Sequence, residues 1–358
     1  MSAEAAAPAV GRRIPLASLE RFVTAAFDRC GVAGPAAADA AEALCHADAV
    51  GLDTHGAINL ERLYVPRLRS GVIDAGALPE IVAQTPGSAS IDGRRGLGLV
   101  VGTRALDEAL TRARACGVGA VTVRNSSHLG SAGYYAARAA RAGMVGIAMT
   151  NLGGQRIAPA PGGTVPLLGT NPIAAAAPAG EQPPFVLDMS TTVVSTGRVR
   201  QADRRGETIP PGWLVGADGL PVVDPAALDA GTAQLQWLGG TPATGAYKGF
   251  GLGLLVEILC GVLAGAQDAP SAPELPAGTV PDLDVGHFFL ALDPAAFRSG
   301  FRAGMDRMLG AVLDTTASYP GYPESAVEHE RRRYGVPVGD DLEDSLARLS
   351  AELGVHAP

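Results

Sequence analysis

Residues 119–142 constrain the fold most, because they join an apolar segment to an Ala-rich segment through a short polar hinge. The segment 119–123 is apolar and β-branched, which predicts a buried strand, and 134–142 predicts a helix that ends at Gly143. His128 lies in the hinge between them. In an α/β protein such a turn exposes the free backbone N–H groups of a helix N-terminus, where ligands bind. His128 is therefore a candidate acid or base, and a surface histidine capped by neighbouring serines is the alternative.

The composition predicts a globular protein with reduced cysteines. The 358 residues, 47% of them hydrophobic, suffice for two domains or one large α/β body. A net charge of −8 argues against nucleic acid or an anionic membrane as the main partner, and no apolar run reaches transmembrane length. Cys30, Cys45, Cys116 and Cys260 form no C-x-x-C pair, so we expect buried free thiols, no metal site and a cytoplasmic location. Residues 1–13 predict a disordered tail rather than a signal peptide.

Helical spacing of apolar residues predicts two helices at the start of the fold, over 16–30 and 36–50, and a third over 60–69. The turn 53–56, Asp-Thr-His-Gly, lies between the second and third of these helices. It presents His55 beside a hydroxyl and a flexible glycine, which makes it a second site candidate. An N-cap for the next helix with a solvated histidine is the alternative.

Two glycine-rich segments precede predicted helices. Residues 93–98 precede a predicted helix at 103–115, and we expect no strand before them. The third glycine comes one position late, and no acidic residue follows about 20 residues on. The Rossmann fingerprint is therefore not met. Residues 246–253 place Lys248 and several glycines before a helix at 254–263, a geometry suited to a phosphate. A helix packed closely through its glycines is the alternative there.

Further strands are predicted from short apolar segments at 144–149, 173–177, 185–192 and 286–292. The last is expected to be central, with His287 a hydrogen-bonded core residue rather than a catalyst. Residues 158–169 are rich in turn formers and predict a lid or pocket wall. We expect 206–244 to be a long connection, and 320–324 to be a rigid loop before a helix at 326–334.

Six ordered motifs together resemble the type 2 malate/L-lactate dehydrogenase family, over about residues 15–338. The motifs are Asp53-Thr54-His55-Gly56, Asn125-Ser126-Ser127-His128-Leu129-Gly130-Ser131-Ala132-Gly133, Leu168-Gly169-Thr170-Asn171-Pro172, Val186-Leu187-Asp188-Met189-Ser190, Tyr247-Lys248-Gly249-Phe250-Gly251 and Gly286-His287-Phe288-Phe289. The resemblance implies a mixed-sheet, non-Rossmann α/β fold of the sulfolactate/malate dehydrogenase type, with helical N-terminal and C-terminal segments. It also implies a substrate and dimerisation domain of residues 14–90 with 275–358, and an NAD(P)-binding domain of residues 91–274.

The resemblance further implies a homodimeric NAD- or NADP-dependent oxidoreductase that interconverts a 2-oxo acid and a 2-hydroxy acid. The family also contains reductases of cyclic imino acids, and a non-catalytic cofactor-binding relative is a third alternative. His55 or His128 would transfer the substrate proton, because hydride added to a 2-oxo carbon leaves an alkoxide that must be protonated. The sequence leaves open which histidine does so.

The site departs from the family at the substrate clamp. Members usually carry an Arg three residues after the glycine of the [Ser/Thr]-His-Gly motif, where this chain has Asn59, and Arg62 is a candidate substitute. The expected substrate contacts are Thr54, Asn59, Arg62, Tyr64 and Gln155. The cofactor contacts that the resemblance carries over are Ser127, Thr170, Asn171, Val186, Leu187, Asp188, Met189, Ser190, Tyr247, Lys248 and Glu324.

Overall fold

The computed structural model describes residues 11–273 and 284–358, and every structural statement below refers to them. The predicted disordered tail lies largely in residues 1–10, outside the described residues, as does the predicted domain boundary at 275. The predicted tail extends to residue 13, but residues 12 and 13 are already ordered. The Arg12 carbonyl accepts a hydrogen bond from the Val338 backbone N–H at 3.0 Å, and Arg13 pairs with Pro337 in a short strand.

The described residues form short strands and mostly longer helices. The strands are β1 (Arg13–Ile14), β2 (Glu80–Thr85), β3 (Ser88–Asp92), β4 (Val118–Ser126), β5 (Val145–Thr150), β6 (Ala158–Pro159), β7 (Pro166–Leu168), β8 (Ile173–Ala177), β9 (Phe185–Met189), β10 (Leu214–Gly216), β11 (Pro221–Val222), β12 (Ala233–Leu235), β13 (Val285–Leu292) and β14 (Val336–Pro337). The helices are α1 (Leu16–Arg29), α2 (Pro35–Val50), α3 (Val65–Arg69), α4 (Gly98–Cys116), α5 (Ala132–Arg141), α6 (Thr196–Arg204), α7 (Ala226–Asp229), α8 (Ala246–Val256), α9 (Phe301–Leu313), α10 (Tyr322–Tyr334) and α11 (Asp340–Leu353). Single 3-10 turns cover Asp53–His55 and Pro294–Ala296, and π-helical turns cover Leu60–Tyr64 and Glu257–Val262.

A seven-stranded mixed sheet forms the centre of the fold, in the order β2-β3-β4-β13-β5-β8-β9. The β3 and β4 strands run parallel, and the other neighbouring pairs are antiparallel. The N-terminal helices α1 and α2 pack on each other, and α2 also packs on α4 and on the C-terminal helix α10. This arrangement confirms the predicted mixed-sheet α/β class with helical terminal segments.

The β13 strand is central and covered on both faces, fully on one and partly on the other. On one face Phe289 packs into the main core with α4 and α5, and on the other Phe288 packs against Val256 and Cys260. A strand buried on both faces has a continuous apolar sequence, which is why residues 286–292 predicted a central strand correctly. In the sheet, β13 lies between β4 and β5.

The glycine-rich segment 93–98 corrects a second prediction, because a strand does precede it. The β3 strand runs straight into the segment, and β3, α4 and β4 form a parallel βαβ unit. The strand was missed because its small and polar residues give little apolar signal. At Gly98 a Cβ atom would lie 2.0 Å from the Ser127 carbonyl oxygen, so only glycine allows α4 to begin against the end of β4.

Three further expectations are corrected. Residues 206–244 are more than a connection, since β11, β10 and β12 form a small antiparallel sheet there, beside the buried Trp237. Residues 322–324 belong to the first turn of α10 rather than to a loop, because proline is tolerated in a first helical turn. The thiol of Cys116 is exposed, although the four cysteines are free as expected. Within the described ranges, no helix is both long and apolar enough to span a membrane.

Candidate active site

The turn that carries His55 is held in place by a buried carboxylate of the preceding helix. Asp48, near the end of α2, accepts a hydrogen bond from the Ala57 backbone N–H at 2.8 Å. A Cβ atom at Gly56 would lie 2.1 Å from the same carboxylate, so the glycine of the motif is required for this approach. Arg331 on α10 donates to the Asp48 carbonyl at 2.6 Å and to the Asp53 carboxylate at 2.5 Å. Burial raises the pKa of Asp48 to about 7.

The hinge that carries His128 is anchored by a serine whose hydroxyl both donates and accepts a hydrogen bond within the protein. Ser127 is buried, and its Oγ accepts from the Gly98 N–H at 2.7 Å and donates to the Gly96 carbonyl at 3.0 Å. These bonds join the end of β4 to the start of α4. Ser127 therefore shapes the hinge, and this buried residue, which the sequence predicted as a cofactor contact, lines neither of the two cavities of the site.

The two turns bring His55 and His128 to one cavity of about 320 Å³. Their rings are nearly parallel, at 21°, with centroids 6.4 Å apart. The Thr54 hydroxyl lies 2.9 Å from His55 Nδ1. The predicted residues that line this cavity are Thr54, His55, Asn59, Arg62, His128, Gln155 and Thr170. The histidines, 73 residues apart in sequence, thus face the same small space.

The cavity wall is strongly cationic. Arg62, Arg67 and Arg200 line it, and none of the described residues that line it carries a carboxylate. Arg62 donates to the Asn59 side-chain oxygen at 2.6 Å, and the Asn59 amide donates to the Thr54 carbonyl at 2.9 Å. Asn59 occupies the position at which the family's clamp arginine is expected. Its side chain therefore positions a different arginine, Arg62, at the same cavity.

Burial and neighbouring charges keep both histidines neutral in the absence of a bound anion. Burial lowers the pKa of His55, whereas the nearby Asp188 carboxylate raises it by a smaller amount. Burial, followed by the charges of His55 and Arg67, lowers the pKa of His128 to about 3. An anion bound beside Arg62 would favour the protonated form of His55, because opposite charges stabilise each other in a partly dehydrated site.

His287 lies behind this cavity as a core residue, as the sequence predicted. It is fully buried, with Nδ1 2.8 Å from the Thr150 hydroxyl and Nε2 2.9 Å from the Ser126 hydroxyl. Both ring nitrogens are thus used by protein partners. Thr150 itself lines the cavity, so His287 supports one part of its wall.

A second cavity of about 160 Å³ lies beside the first, where β9 meets α5 and the start of α10. The predicted cofactor residues that line it are Val186, Leu187, Asp188 and Glu324. Of the others, Thr170 lines the histidine cavity, Asn171 is fully buried behind it, and Met189, Ser190, Tyr247 and Lys248 line neither cavity. Tyr64 is also fully buried and contacts His128 rather than the open cavity.

The lining of the second cavity suits one hydroxylated part of NAD(P), such as a ribose. Asp188 Oδ2 accepts from the Ser131 hydroxyl at 2.7 Å, while Oδ1 has no hydrogen-bond partner among the described residues and can accept from a ribose hydroxyl. A Cβ atom at Gly133 would lie 2.7 Å from Asp188, so glycine keeps this wall open. Arg141 supplies a cation in the same lining. The Glu324 carboxylate accepts from the Gly321 N–H at 3.0 Å and caps its own helix.

Sequence reasoning missed Arg67 and Arg200, and also a buried network beneath the cavity. The Glu257 carboxylate accepts from the Asn171 amide at 2.9 Å and from the Asn151 amide at 3.1 Å. Asn151 lines the cavity, so this network fixes its floor. No local motif marks Asn151 or Glu257, since the network joins distant segments of the chain. The Asn-Pro turn after residue 170 and the turn-rich residues 150–155 were the sequence signals that pointed to the floor.

The fold and the two adjoining cavities define a nicotinamide-dependent oxidoreductase without a Rossmann domain. The malate/L-lactate dehydrogenase family matches residues 14–347, and the chain belongs to this family. It is an NAD- or NADP-dependent enzyme. It is 35% identical over 353 residues to malate dehydrogenase of Pyrococcus abyssi, covering 96% of this chain and 95% of that protein.

Two further relatives show the same extent of similarity. The chain is 36% identical over 328 residues to (2R)-3-sulfolactate dehydrogenase (NADP(+)) of Chromohalobacter salexigens, covering 90% of this chain and 93% of that one. The crystal structure of malate dehydrogenase from Entamoeba histolytica superimposes with a TM-score of 0.90 at 30% identity, covering 98% and 100% of the two chains. The similarity therefore extends over the sheet and both terminal helical segments.

Proposed function

We propose that the protein interconverts a 2-oxo acid and the corresponding 2-hydroxy acid, and that its substrate carries a second anionic group. The observation that carries this proposal is the pair of arginines at the histidine cavity. No carboxylate of the described chain forms a salt bridge with Arg62 or Arg67. Unpaired guanidinium groups in a cavity without acidic lining select anions, even on a protein whose net charge is −8.

His55 is the residue that we propose transfers the proton. Reduced nicotinamide, when bound, would supply the hydride for the 2-oxo carbon. The His55 imidazolium would then give its proton to the substrate oxygen. Thr54 orients the ring through Nδ1, and Asp188 stabilises its charged form. In the oxidative direction the neutral ring accepts the hydroxyl proton.

Arg62 and Arg67 are the proposed anion contacts. A guanidinium group binds a carboxylate or sulfonate through two parallel hydrogen bonds, and Asn59 already orients Arg62. Arg200 is bound by Asp229 at 2.7 Å and 2.9 Å, so its charge is partly neutralised. We therefore assign Arg200 to the shape of the cavity wall rather than to the clamp.

Oxidation of NADH and of NADPH by the purified enzyme, against a panel of candidate acceptors, tests this function. The panel contains 2-oxo acids with and without a second anionic group, and cyclic imines with a carboxylate. We expect the highest kcat/KM with a dianionic 2-oxo acid. Faster turnover of a cyclic imine than of every 2-oxo acid would favour imino-acid reduction, and cofactor binding without any turnover would favour a non-catalytic relative.

The substitution Asp188→Asn is expected to move the pH profile of 2-oxo acid reduction to lower pH. Reduction requires protonated His55, so kcat/KM falls as the pH rises through the pKa of His55. Burial already holds that pKa below 6.5, and the Asp188 carboxylate is the neighbouring charge that raises it. Without the Asp188 charge the pKa of His55 is therefore expected to fall further. Asp306→Asn, a surface change, is the control. A shift of the Asp188→Asn profile to higher pH would contradict this assignment.

We also propose that the protein is a cytoplasmic homodimer. The free cysteines support the location, and one apolar helix face supports the dimer. Tyr247, Leu255, Ile258 and Val262 follow one another at helical spacing along α8 and its π-helical extension, and each is at least 40% exposed. An apolar stripe of this kind marks a protein contact surface. A second copy, related by a twofold axis, would bury the same stripe on each chain.

Ile258→Asp is expected to convert the dimer to monomer at micromolar concentration, because it buries a charge in the proposed contact. Light scattering after gel filtration measures the mass. Leu78→Asp is the matched control, since Leu78 is 76% exposed in a different part of the fold. A dimer that withstands Ile258→Asp as well as Leu78→Asp would place the interface elsewhere.

A further inference from the structure

Tyr64 and His128 form a buried contact to which the proposed function assigns no role. Tyr64 is fully buried in the core, where its ring meets Phe27 edge-on. Its hydroxyl lies 2.8 Å from His128 Nδ1, and the Gly130 backbone N–H donates to the same nitrogen at 3.1 Å. A positive φ of 80° at Gly130 lets its N–H turn back on the ring.

These two contacts determine the tautomer of His128. A backbone N–H can only donate, so Nδ1 must carry its single lone pair, which the Gly130 N–H and the Tyr64 hydroxyl then share as two donors. The single proton of the neutral ring therefore lies on Nε2. This nitrogen makes no hydrogen bond within the described chain, and the ring lines the cavity. Protonating Nδ1 would set its N–H against that of Gly130, so the geometry disfavours an imidazolium.

We propose that Tyr64 is a positioning residue that, with the Gly130 amide, holds His128 as the Nε2–H tautomer, which donates a hydrogen bond to the substrate's 2-oxo oxygen. This inference rests on the proposed function and divides its chemistry between the two histidines. His55 carries the proton, while His128 polarises the carbonyl and stabilises the oxygen as negative charge develops on it. The low pKa of His128 agrees with a ring that stays neutral throughout.

The tautomer is tested directly by ¹⁵N NMR of the full chain labelled at histidine, with His128 assigned from the His128→Gln variant. The nitrogen shifts of the Nε2–H, Nδ1–H and doubly protonated forms differ. We expect the Nε2–H form from about pH 5 to pH 8. A doubly protonated ring or the Nδ1–H form in that range would overturn the inference. Because this measurement needs no turnover, it remains decisive even if no 2-oxo acid is reduced and the proposed function fails.

The role of the hydroxyl is tested by Tyr64→Phe against Tyr135→Phe. Tyr135 is an equally buried tyrosine whose hydroxyl donates to the Leu129 carbonyl of the same hinge at 2.8 Å, without touching His128. We expect Tyr64→Phe to lower kcat about tenfold or more, with cofactor affinity and KM nearly unchanged. Tyr135→Phe should cost similar thermal stability and little kcat. Equal losses of kcat in the two variants would make Tyr64 merely structural.

A second pair of variants separates hydrogen-bond donation from proton transfer. Glutamine at position 128 can donate a hydrogen bond but cannot carry the proton, and leucine can do neither. We expect His128→Gln to retain about tenfold more kcat than His128→Leu. Equal, near-complete loss in both variants, with normal cofactor binding, would instead identify His128 as the proton carrier and overturn the inference.

Discussion

His55→Ala is expected to lower kcat for reduction of a 2-oxo acid about 10²- to 10⁴-fold, the contribution of a positioned general acid. The alkoxide formed in the cavity would then depend on water for its proton. Cofactor affinity should change little, because Val186, Leu187, Asp188 and Glu324, four of the predicted cofactor contacts, line the neighbouring cavity and His55 does not. Steady-state kinetics together with nicotinamide fluorescence titration measure both quantities on the same preparation.

His329→Ala serves as the control for that experiment, because it removes an imidazole of the α10 helix that lines neither cavity. It should leave kcat and cofactor affinity at their wild-type values. If His55→Ala kept wild-type kcat while His128→Leu lost it, the proton transfer would belong to His128. If both variants kept their activity, the paired histidines would not be the reaction site.

Arg62→Ala is expected to raise the KM for the 2-oxo acid about tenfold to a hundredfold, with a smaller effect on kcat. A charge-assisted, two-point contact with a carboxylate contributes about 1.5–3 kcal/mol, which corresponds to that range. The loss should be greatest for substrates with two anionic groups. Initial rates over a range of substrate concentrations, for one dianionic and one monoanionic 2-oxo acid, measure the difference.

Arg204→Ala is the matched control, since Arg204 lies on α6 and pairs with Asp341 outside the cavity. Arg62→Lys should recover part of the affinity, because lysine keeps the charge and loses the two-point geometry. An unchanged KM in Arg62→Ala would assign substrate binding to Arg67 or to the backbone of the cavity. That outcome would leave the role of His55 intact.

The elements with strong apolar patterns were the ones that the sequence predicted well. The β13 strand is continuous in apolar residues and was correctly predicted as central, and β8 was predicted with its observed bounds. The β3 strand was missed because alternating small and polar residues carry little of that signal. The small sheet formed by β10, β11 and β12 was missed because strands of two or three residues between glycines and prolines resemble turns.

Sequence motifs pointed to the two histidines, but the surroundings of the histidines depended on tertiary structure. His55 and Asn59 are local to one turn and were recognised together. Arg200 reaches the same cavity from a helix more than a hundred residues later, which no spacing rule could anticipate. Tyr64 was predicted to contact substrate, because its sequence position does not reveal that its hydroxyl faces a ring nitrogen of His128.

The most direct test of the central claim follows the hydride itself. Reduced nicotinamide carrying two deuterium atoms at C4 is incubated with the enzyme and a dianionic 2-oxo acid, and the isolated product is examined by mass spectrometry and proton NMR. The account predicts one deuterium at C2 of a 2-hydroxy acid, formed by the wild-type enzyme and lost in parallel with kcat in His55→Ala. Oxidation of the nicotinamide without deuterium at C2 of the product would contradict the account. A labelled product obtained only when a cyclic imine replaces the 2-oxo acid would contradict it as well.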